Sequence, residues 1–311
     1  MTCLVVDKMH ESLTPMLSKI GVDVSYQPNI KREEIKNIIS NYDGLIIRSK
    51  TFVDRNLLEN ANKLLFVARA GSGIDNLDVD YLNLKGVKII NAPEGNRDSV
   101  GEHTIGLILS LLHNLQQGHD QIYRGVWDRE GNRGSELSNK TVGIIGYGHM
   151  GRTLAKKLNS FGCKILAYDK YHPNFENVYA KSASLSELMD KTDILSLHIP
   201  LTDETLNLTS DNFFSGFKKN IIFINTSRGE IAPLKSIANG IKSGKIVKAG
   251  LDVLENEKLN SFTKDQITDF EFLKNSKSVI FTPHVAGWSN ESYLRINEIL
   301  TNKIKLIMDN K

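Results

Sequence analysis

Short apolar runs rich in Val, Ile and Leu recur along the chain, and most are followed by a longer stretch whose apolar residues fall at helical spacing. Runs at 3–6, 22–26, 44–48, 65–69 and 87–91 make a first series. Runs at 141–146, 164–168, 194–198, 221–225, 247–252 and 278–282 make a second. Their near-continuous apolar character predicts strands covered on both faces, as in parallel sheets. The alternation with helices predicts an α/β protein of two doubly wound parallel-sheet domains. Between the two series, Ile105, Leu107, Ile108, Leu111, Leu112 and Leu115 share a helical stripe with no proline. This predicts one long helix over 100–124, with His103 in its first turn. A polar loop follows, Trp127-Asp128-Arg129-Glu130-Gly131-Asn132-Arg133-Gly134. Arg129 and Arg133 read there as solvated or interface charges, with a substrate contact as the alternative. A helical pattern over 290–308 comes after the last strand and can return to the first domain. The expected division is therefore 1–98 plus 287–311, and 99–286.

Composition narrows the function classes. A chain of 311 residues suits about two domains. Lys and Arg total 39 against 36 Asp and Glu, a net charge of +3, which argues against a nucleic-acid or membrane-surface partner. Cys3 and Cys163 lie in apolar segments and read as small buried hydrophobes. The longest near-apolar run, 104–112, is about half of a bilayer span. The N-terminus reaches Asp7 too soon for a signal peptide. A reduced, cytoplasmic protein is expected. No His, Cys or carboxylate cluster has metal-ligand spacing, so no metal is expected.

The most specific motif is Val142-Gly143-Ile144-Ile145-Gly146-Tyr147-Gly148-His149-Met150-Gly151, a strand running into G-x-G-x-x-G. Gly146 allows the tight turn, Gly148 lets a pyrophosphate approach the backbone, and Gly151 lets the next helix pack on the strand. That helix, expected over 152–161, points its N–H groups and positive dipole end at the phosphates. Tyr147, His149 and Met150 belong to the same expected cofactor turn. Asp169 ends the next strand, 18 residues after Gly151, where a carboxylate can accept ribose hydroxyls and repel a 2′-phosphate. The neighbouring Lys170 weakens that exclusion. The expected cofactor is NAD, with His198 at a later strand end lining its site.

Three further strand ends carry polar groups: Asn225-Thr226-Ser227-Arg228-Gly229, Leu251-Asp252-Val253-Leu254-Glu255-Asn256-Glu257 and Thr282-Pro283-His284. Ligands of open parallel sheets bind outside the carboxyl ends of strands. Arg228 can grip a substrate carboxylate and polarise the adjacent carbonyl. His284 can move the hydroxyl proton, and Glu257 can favour the imidazolium and fix the ring. Those three groups suit reversible hydride transfer at a 2-hydroxy acid.

From near residue 40 to near residue 290 the chain resembles the D-isomer-specific 2-hydroxyacid dehydrogenase family. The matching stretches are Ala70-Gly71-Ser72-Gly73-Ile74-Asp75-Asn76, Asn91-Ala92-Pro93, Ser99-Val100-Gly101-Glu102-His103, the glycine turn, Asn225-Thr226-Ser227-Arg228-Gly229 and Thr282-Pro283-His284. The resemblance implies two Rossmann-like domains with a cleft between them. The flavodoxin-like substrate-binding domain is 1–98 plus 287–311, and the NAD-binding domain is 99–286. It further implies a homodimer, NAD(H), and catalysis by Arg228, Glu257 and His284. By the same match, Ser72 and Gly73 hold the substrate carboxylate through their backbone, Asp252 holds the nicotinamide amide, and Thr226 belongs to the cofactor site. The 100–124 helix is implied as the interdomain and dimerisation element. Two positions depart from the family pattern. Lys258 follows Glu257 where a proline is usual, which leaves Glu255 as a rival, and Gly101 replaces the usual alanine.

Within the family, Ile47-Arg48-Ser49-Lys50, Arg69 and the Gly146-Tyr147-Gly148-His149 turn point to a phosphorylated substrate, with Arg48, Lys50 or Arg69 supplying cations for it. The expectation is NAD-dependent oxidation of 3-phosphoglycerate to 3-phosphohydroxypyruvate, as in serine biosynthesis, with glycerate, glyoxylate or lactate as alternatives. No C-terminal regulatory module is expected. A different class, an NADH-sensing corepressor-like protein, remains as a rival because some relatives on this fold have that role.

Overall fold

The computed structural model describes residues 1–175 and 178–309. It forms two compact units, Met1–Arg97 with Trp288–Lys311, and Asp98–Gly287. The first begins with strand β1 (Thr2–Val5), helix α1 (Leu13–Lys19), β2 (Asp23–Tyr26), α2 (Arg32–Ile38) and β3 (Gly44–Ile47). It continues through β4 (Phe66–Arg69), α3 (Val79–Leu84) and β5 (Lys88–Asn91). The strands are all parallel, in the order β2-β1-β3-β4-β5. This is the 2-1-3-4-5 arrangement of flavodoxin-like sheets. Alternate residues of β1, and Val6 just after it, serve opposite faces. Cys3 and Val5 join Leu13 and Leu17 in one buried cluster, while Leu4 and Val6 join Ile35 and Ile39 in the other. A strand buried on both faces needs no polar alternation, which explains the unbroken apolar runs.

The second unit takes up most of α4 (Pro93–Leu112) and then α5 (Leu115–Tyr123), β6 (Thr141–Ile145), α6 (His149–Leu158), β7 (Lys164–Tyr168) and β8 (Lys181–Ser182). It continues with α7 (Leu185–Lys191), β9 (Ile194–Leu197), α8 (Asp211–Ser215), β10 (Ile221–Asn225), α9 (Leu234–Lys242), β11 (Ile246–Leu251), α10 (Lys264–Asn275) and β12 (Val279–Phe281). The last helix, α11 (Asn290–Asp309), belongs to the first unit and buries Ile296, Leu300 and Ile304 in the cluster around Cys3 and Val5. The larger sheet is parallel, in the order β12-β11-β10-β9-β6-β7-β8. Chain order reverses between β6 and β9, the crevice where such sheets bind ligands. Two buried clusters cover its faces, one around Ile144, Leu154 and Ile224 and the other around Leu195, Phe223 and Leu251.

Three expectations needed correction. The single helix over 100–124 is two, because Asn114 takes a left-handed φ of 55° and breaks it. Asparagine tolerates that conformation better than most residues. Lys248 of β11 closes the broken end, its Nζ bonding Leu111 O at 2.6 Å and Asn114 Oδ1 at 2.5 Å. Beyond the break Leu115 is exposed, so only Leu107, Ile108, Leu111 and Leu112 of the expected stripe are core. At the other end α4 starts at Pro93, a residue suited to a first helical turn because it has no N–H to leave unpaired. His103 therefore stands mid-helix, not in a first turn. Cys163 is only partly buried, whereas Cys3 is fully enclosed and burial pushes its thiol up. Among the described residues no helix is long and apolar enough to cross a membrane.

Candidate active site

Along the carboxyl edge of the larger sheet, neighbouring strands deliver the residues of interest side by side. Leu251 of β11 pairs with Asn225 of β10 and with Phe281 of β12. The segments bearing Arg228, Glu257 and His284 therefore leave adjacent strand ends. Ile145 of β6 pairs with Leu197 of β9 and Tyr168 of β7, which aligns the glycine turn with His198 and Asp169.

The glycine turn is shaped for a close ligand. Gly146 has a φ of +93°, and a Cβ there would lie 2.3 Å from His198 O; one on Gly151 would lie 2.1 Å from Gly146 O. Gly148, the N-cap of α6, faces open space. A bare N–H-rich helix start with room above it fits a dinucleotide pyrophosphate. His149 is exposed and Met150 partly so. Tyr147 is engaged by the protein itself: its ring is 2% exposed and stacks on Phe175 at 4.1 Å, and its N–H donates to Asp169 Oδ2 at 2.8 Å. Asp169 also accepts from the N–H groups of Tyr171 and His172, both at 3.0 Å. These bonds outweigh the opposing desolvation and hold its carboxyl below the ordinary carboxylate range. Lys170 is paired with Glu204 at 2.6 Å, which blunts its charge beside Asp169. His198 keeps a partly exposed edge, yet burial pushes its imidazole down to about 4, and its Nε2 lies 2.9 Å from Ser196 Oγ.

Arg228 stands in a loop wound by Asn225, which is fully buried. The Asn225 carbonyl oxygen accepts from Ser227 N–H at 3.0 Å, and its amide donates to Arg228 O at 2.9 Å. Gly229 then packs on the neighbouring loop, where a Cβ would lie 1.9 Å from the Leu254 carbonyl carbon. Thr226 Oγ1 is 3.1 Å from Thr104 Oγ1 of α4. In the β11 loop it is Glu257, not Glu255, that meets the imidazole: His284 Nδ1 lies 2.7 Å from Glu257 Oε1. Both side chains are about half exposed. A carboxylate only accepts, so Nδ1 carries the proton and Nε2 presents its lone pair. His284 adopts a left-handed φ of 53°, uncommon for a non-glycine residue. Its N–H donates to Asp252 O at 2.7 Å.

Asp252, expected at the nicotinamide amide, is also bonded within its own unit. It is 1% exposed, and its carboxylate accepts from Thr282 Oγ1 at 2.5 Å, Val285 N–H at 2.9 Å and Ala286 N–H at 2.8 Å. It is the anchor of the His284 loop. The partner missed from the sequence is His103, whose Nε2 lies 2.9 Å from Thr282 Oγ1. Its spacing four residues after Ser99, on one helical face, was the available signal.

The first unit gathers Arg48, Ser72 and Gly73 at the carboxyl edge of β3 and β4. Asn76 Nδ2 donates to Arg48 O at 3.1 Å, and Asn91 Nδ2 to Ser72 O at 2.6 Å. Among the described residues the N–H groups of Ser72 and Gly73 have no hydrogen-bond acceptor. The Arg48 guanidinium lies 3.5 Å above the Trp288 ring and 5.3 Å from that of Tyr293, and burial lowers its pKa. No carboxylate of the described residues is within ion-pair reach of it. Lys50, by contrast, spends its ammonium on Pro28 O at 2.8 Å and Val6 O at 3.3 Å. Arg69 folds back over Gly71, where a Cβ would lie 1.8 Å from its Nη1. Arg129 and Arg133 are exposed, the latter paired with Glu130.

Comparison with known proteins gives the family. The model of the family described as D-isomer specific 2-hydroxyacid dehydrogenase, NAD binding domain, matches residues 105–286. The chain therefore belongs to that family, and its second unit carries the NAD-binding domain. It is 35% identical over 308 residues to the D-3-phosphoglycerate dehydrogenase of Methanocaldococcus jannaschii, covering 98% of this chain and 57% of that one. It is 31% identical over 294 residues to the hydroxypyruvate reductase of Thermotoga maritima, covering 94% of each. The solved D-lactate dehydrogenase of Aquifex aeolicus, complexed with NAD and lactic acid, matches with a TM-score of 0.83 at 24% identity. That match covers 100% of this chain and 96% of that one, a likeness of fold. The chain thus spans about half the length of the phosphoglycerate dehydrogenase it matches.

Proposed function

We propose that this protein is an NAD-dependent oxidoreductase acting on a D-2-hydroxy acid, with 3-phosphoglycerate, oxidised to 3-phosphohydroxypyruvate, as the favoured substrate. The observation that carries the reading is the 2.7 Å contact of His284 Nδ1 with Glu257 on a strand end adjacent to that of Arg228. Nicotinamide, when bound, is the acceptor for the hydride that leaves C2. His284 Nε2 takes the hydroxyl proton as the C2–O bond becomes a carbonyl, and Glu257 holds the ring and balances the charge it acquires. Arg228 grips the substrate carboxylate and draws electron density toward the forming carbonyl oxygen. Ser72 and Gly73 offer backbone N–H groups to the same class of anion. Asp169, with its carboxyl held ionised, favours NAD over NADP.

The phosphate is the role proposed for Arg48, a half-buried guanidinium on an aromatic platform that forms no ion pair within 4.0 Å among the described residues. Lys50 is not assigned to it, since its ammonium is bonded to Pro28 O and Val6 O, and Arg69 is turned back against Gly71. The similarity to hydroxypyruvate reductase supports glycerate and hydroxypyruvate as the second reading. A homodimer is also part of the proposal. Helix α5 buries none of its residues, and Leu115, Ile122, Tyr123, Val126 and Trp127 are exposed together along it and the segment after it. An apolar helix face of that kind is best covered by a second copy.

The test is a panel of 2-hydroxy and 2-oxo acids, phosphorylated and not, followed by NADH absorbance. The expected result is a kcat/KM for 3-phosphoglycerate about tenfold or more above that for glycerate, because a site built for a charged group rejects the analogue that lacks it. The reverse preference would install the second reading. NADH binding with turnover of none of these acids would overturn both.

A further inference from the structure

We propose that His103 is a positioning residue for His284, acting through Thr282 and Asp252; the proposal rests on the oxidoreductase reading above. Ser99 and His103 are one turn apart on one face of α4, and both reach the 282–286 loop. Ser99 Oγ donates to Ala286 O at 2.7 Å, and His103 Nε2 meets Thr282 Oγ1 at 2.9 Å. Asp252 grips the same loop from the sheet, through its carboxylate at Thr282, Val285 and Ala286 and through its carbonyl at His284 N–H. The loop is thus clamped from two sides, helix and sheet, with His284 in the middle of the clamp.

Hydrogen counting sets the direction of each bond. The buried Asp252 carboxylate accepts, so the single hydroxyl proton of Thr282 points to it. Thr282 Oγ1 is then left as an acceptor, and His103 must present a proton on Nε2. Its bond is therefore directional rather than interchangeable. A non-glycine residue in the left-handed region persists where its surroundings over-determine it, and His284 at φ 53° is such a residue. Without the donor on α4, the Thr282 side of the clamp loosens and the His284 imidazole loses its alignment with Glu257. This gives the Ser99-Val100-Gly101-Glu102-His103 motif a task that substrate and cofactor binding leave unassigned.

The experiment combines kinetics with nitrogen-15 NMR of the histidine rings in the full-length protein. His103→Leu is expected to lower kcat about 10- to 100-fold with the KM for NADH little changed, the size of effect that misplacing a reacting group produces. His103→Gln, whose amide can donate at similar reach, is expected to recover most of kcat, a rescue that loss of packing would not show. In the wild type, His103 should carry its proton on Nε2. The His284 ring signals should move in His103→Leu and return in His103→Gln. An active wild type whose His103→Leu variant keeps both kcat and the His284 signals would overturn the clamp, as would an unprotonated Nε2 on His103. A wild type that turns over no 2-hydroxy acid but shows this NMR pattern would instead overturn the oxidoreductase reading and leave the clamp standing.

Discussion

The carboxyl edges of the two sheets hold their charged residues by different physics. In the larger unit, buried polar groups do the holding: Asn225 winds the Arg228 loop, Asp252 clamps the His284 loop, and Glu257 meets the imidazole directly. In the smaller unit Arg48 lies on the faces of Trp288 and Tyr293, and its backbone N–H, not its guanidinium, is what Asp7 accepts at 2.6 Å. Hydrogen-bond networks fix direction to within a few tenths of an ångström, which proton transfer demands. A guanidinium stacked on aromatic rings is oriented by their faces, and here the Tyr293 hydroxyl and the Asp7 charge also act on it. The difference fits the division proposed above, reaction at one edge and recognition at the other.

Three measurements break or sharpen that comparison. His284→Ala should cost the most, lowering kcat by about 10²–10⁴ while NADH still binds, because proton transfer is lost and cofactor affinity is not. Stopped-flow turnover with parallel NADH fluorescence titration separates the two, and an unchanged kcat would move the chemistry away from the larger unit's edge.

Next comes the pH dependence of stability at that edge. His198 is pushed down to about 4 from an ordinary value of 6.5. The folded protein therefore binds this proton less readily than the unfolded chain. The contribution is fully present above about pH 6.5 and fades as pH falls toward 4, to a maximum of about 3 kcal/mol, less for a ring that keeps some solvent contact. Urea unfolding at pH 7 and pH 4.5 should show a smaller fall for His198→Gln than for the wild type. Equal falls would mean that the imidazole is not held neutral by the fold.

The smallest effect belongs to the other edge. Trp288→Ala should raise the KM for 3-phosphoglycerate about 3- to 10-fold, the worth of one cation–π contact, with kcat and the KM for glycerate little changed. An equal rise for both substrates would make Trp288 a packing residue rather than a platform for Arg48.

Much of this molecule is legible in one dimension. Parallel strands covered on both faces must be apolar throughout, so all eleven expected runs match strands to within about a residue at each end. The run that escaped notice, β8, has two polar residues at a sheet edge and carries no hydrophobic signal. The glycine turn was readable because steric exclusion at Gly146 and Gly151 leaves no other residue type workable. Arg228, Glu257 and His284 stood out because parallel strands put the residues that follow them on one edge. What the linear pattern could not decide was how polar groups spend their bonds. Asp252 and Asp169 look alike in the sequence, yet one accepts from a loop and the other from the glycine turn. The helix end broken at Asn114 is met by Lys248, more than a hundred residues away in the chain. His103 becomes meaningful only when α4 passes beside Thr282. Hydrophobic periodicity is a local property, and the chain carries it openly. Hydrogen-bond pairing between distant residues is settled only when the backbone has brought donor and acceptor within about 3 Å, and that is the part the tertiary structure decided.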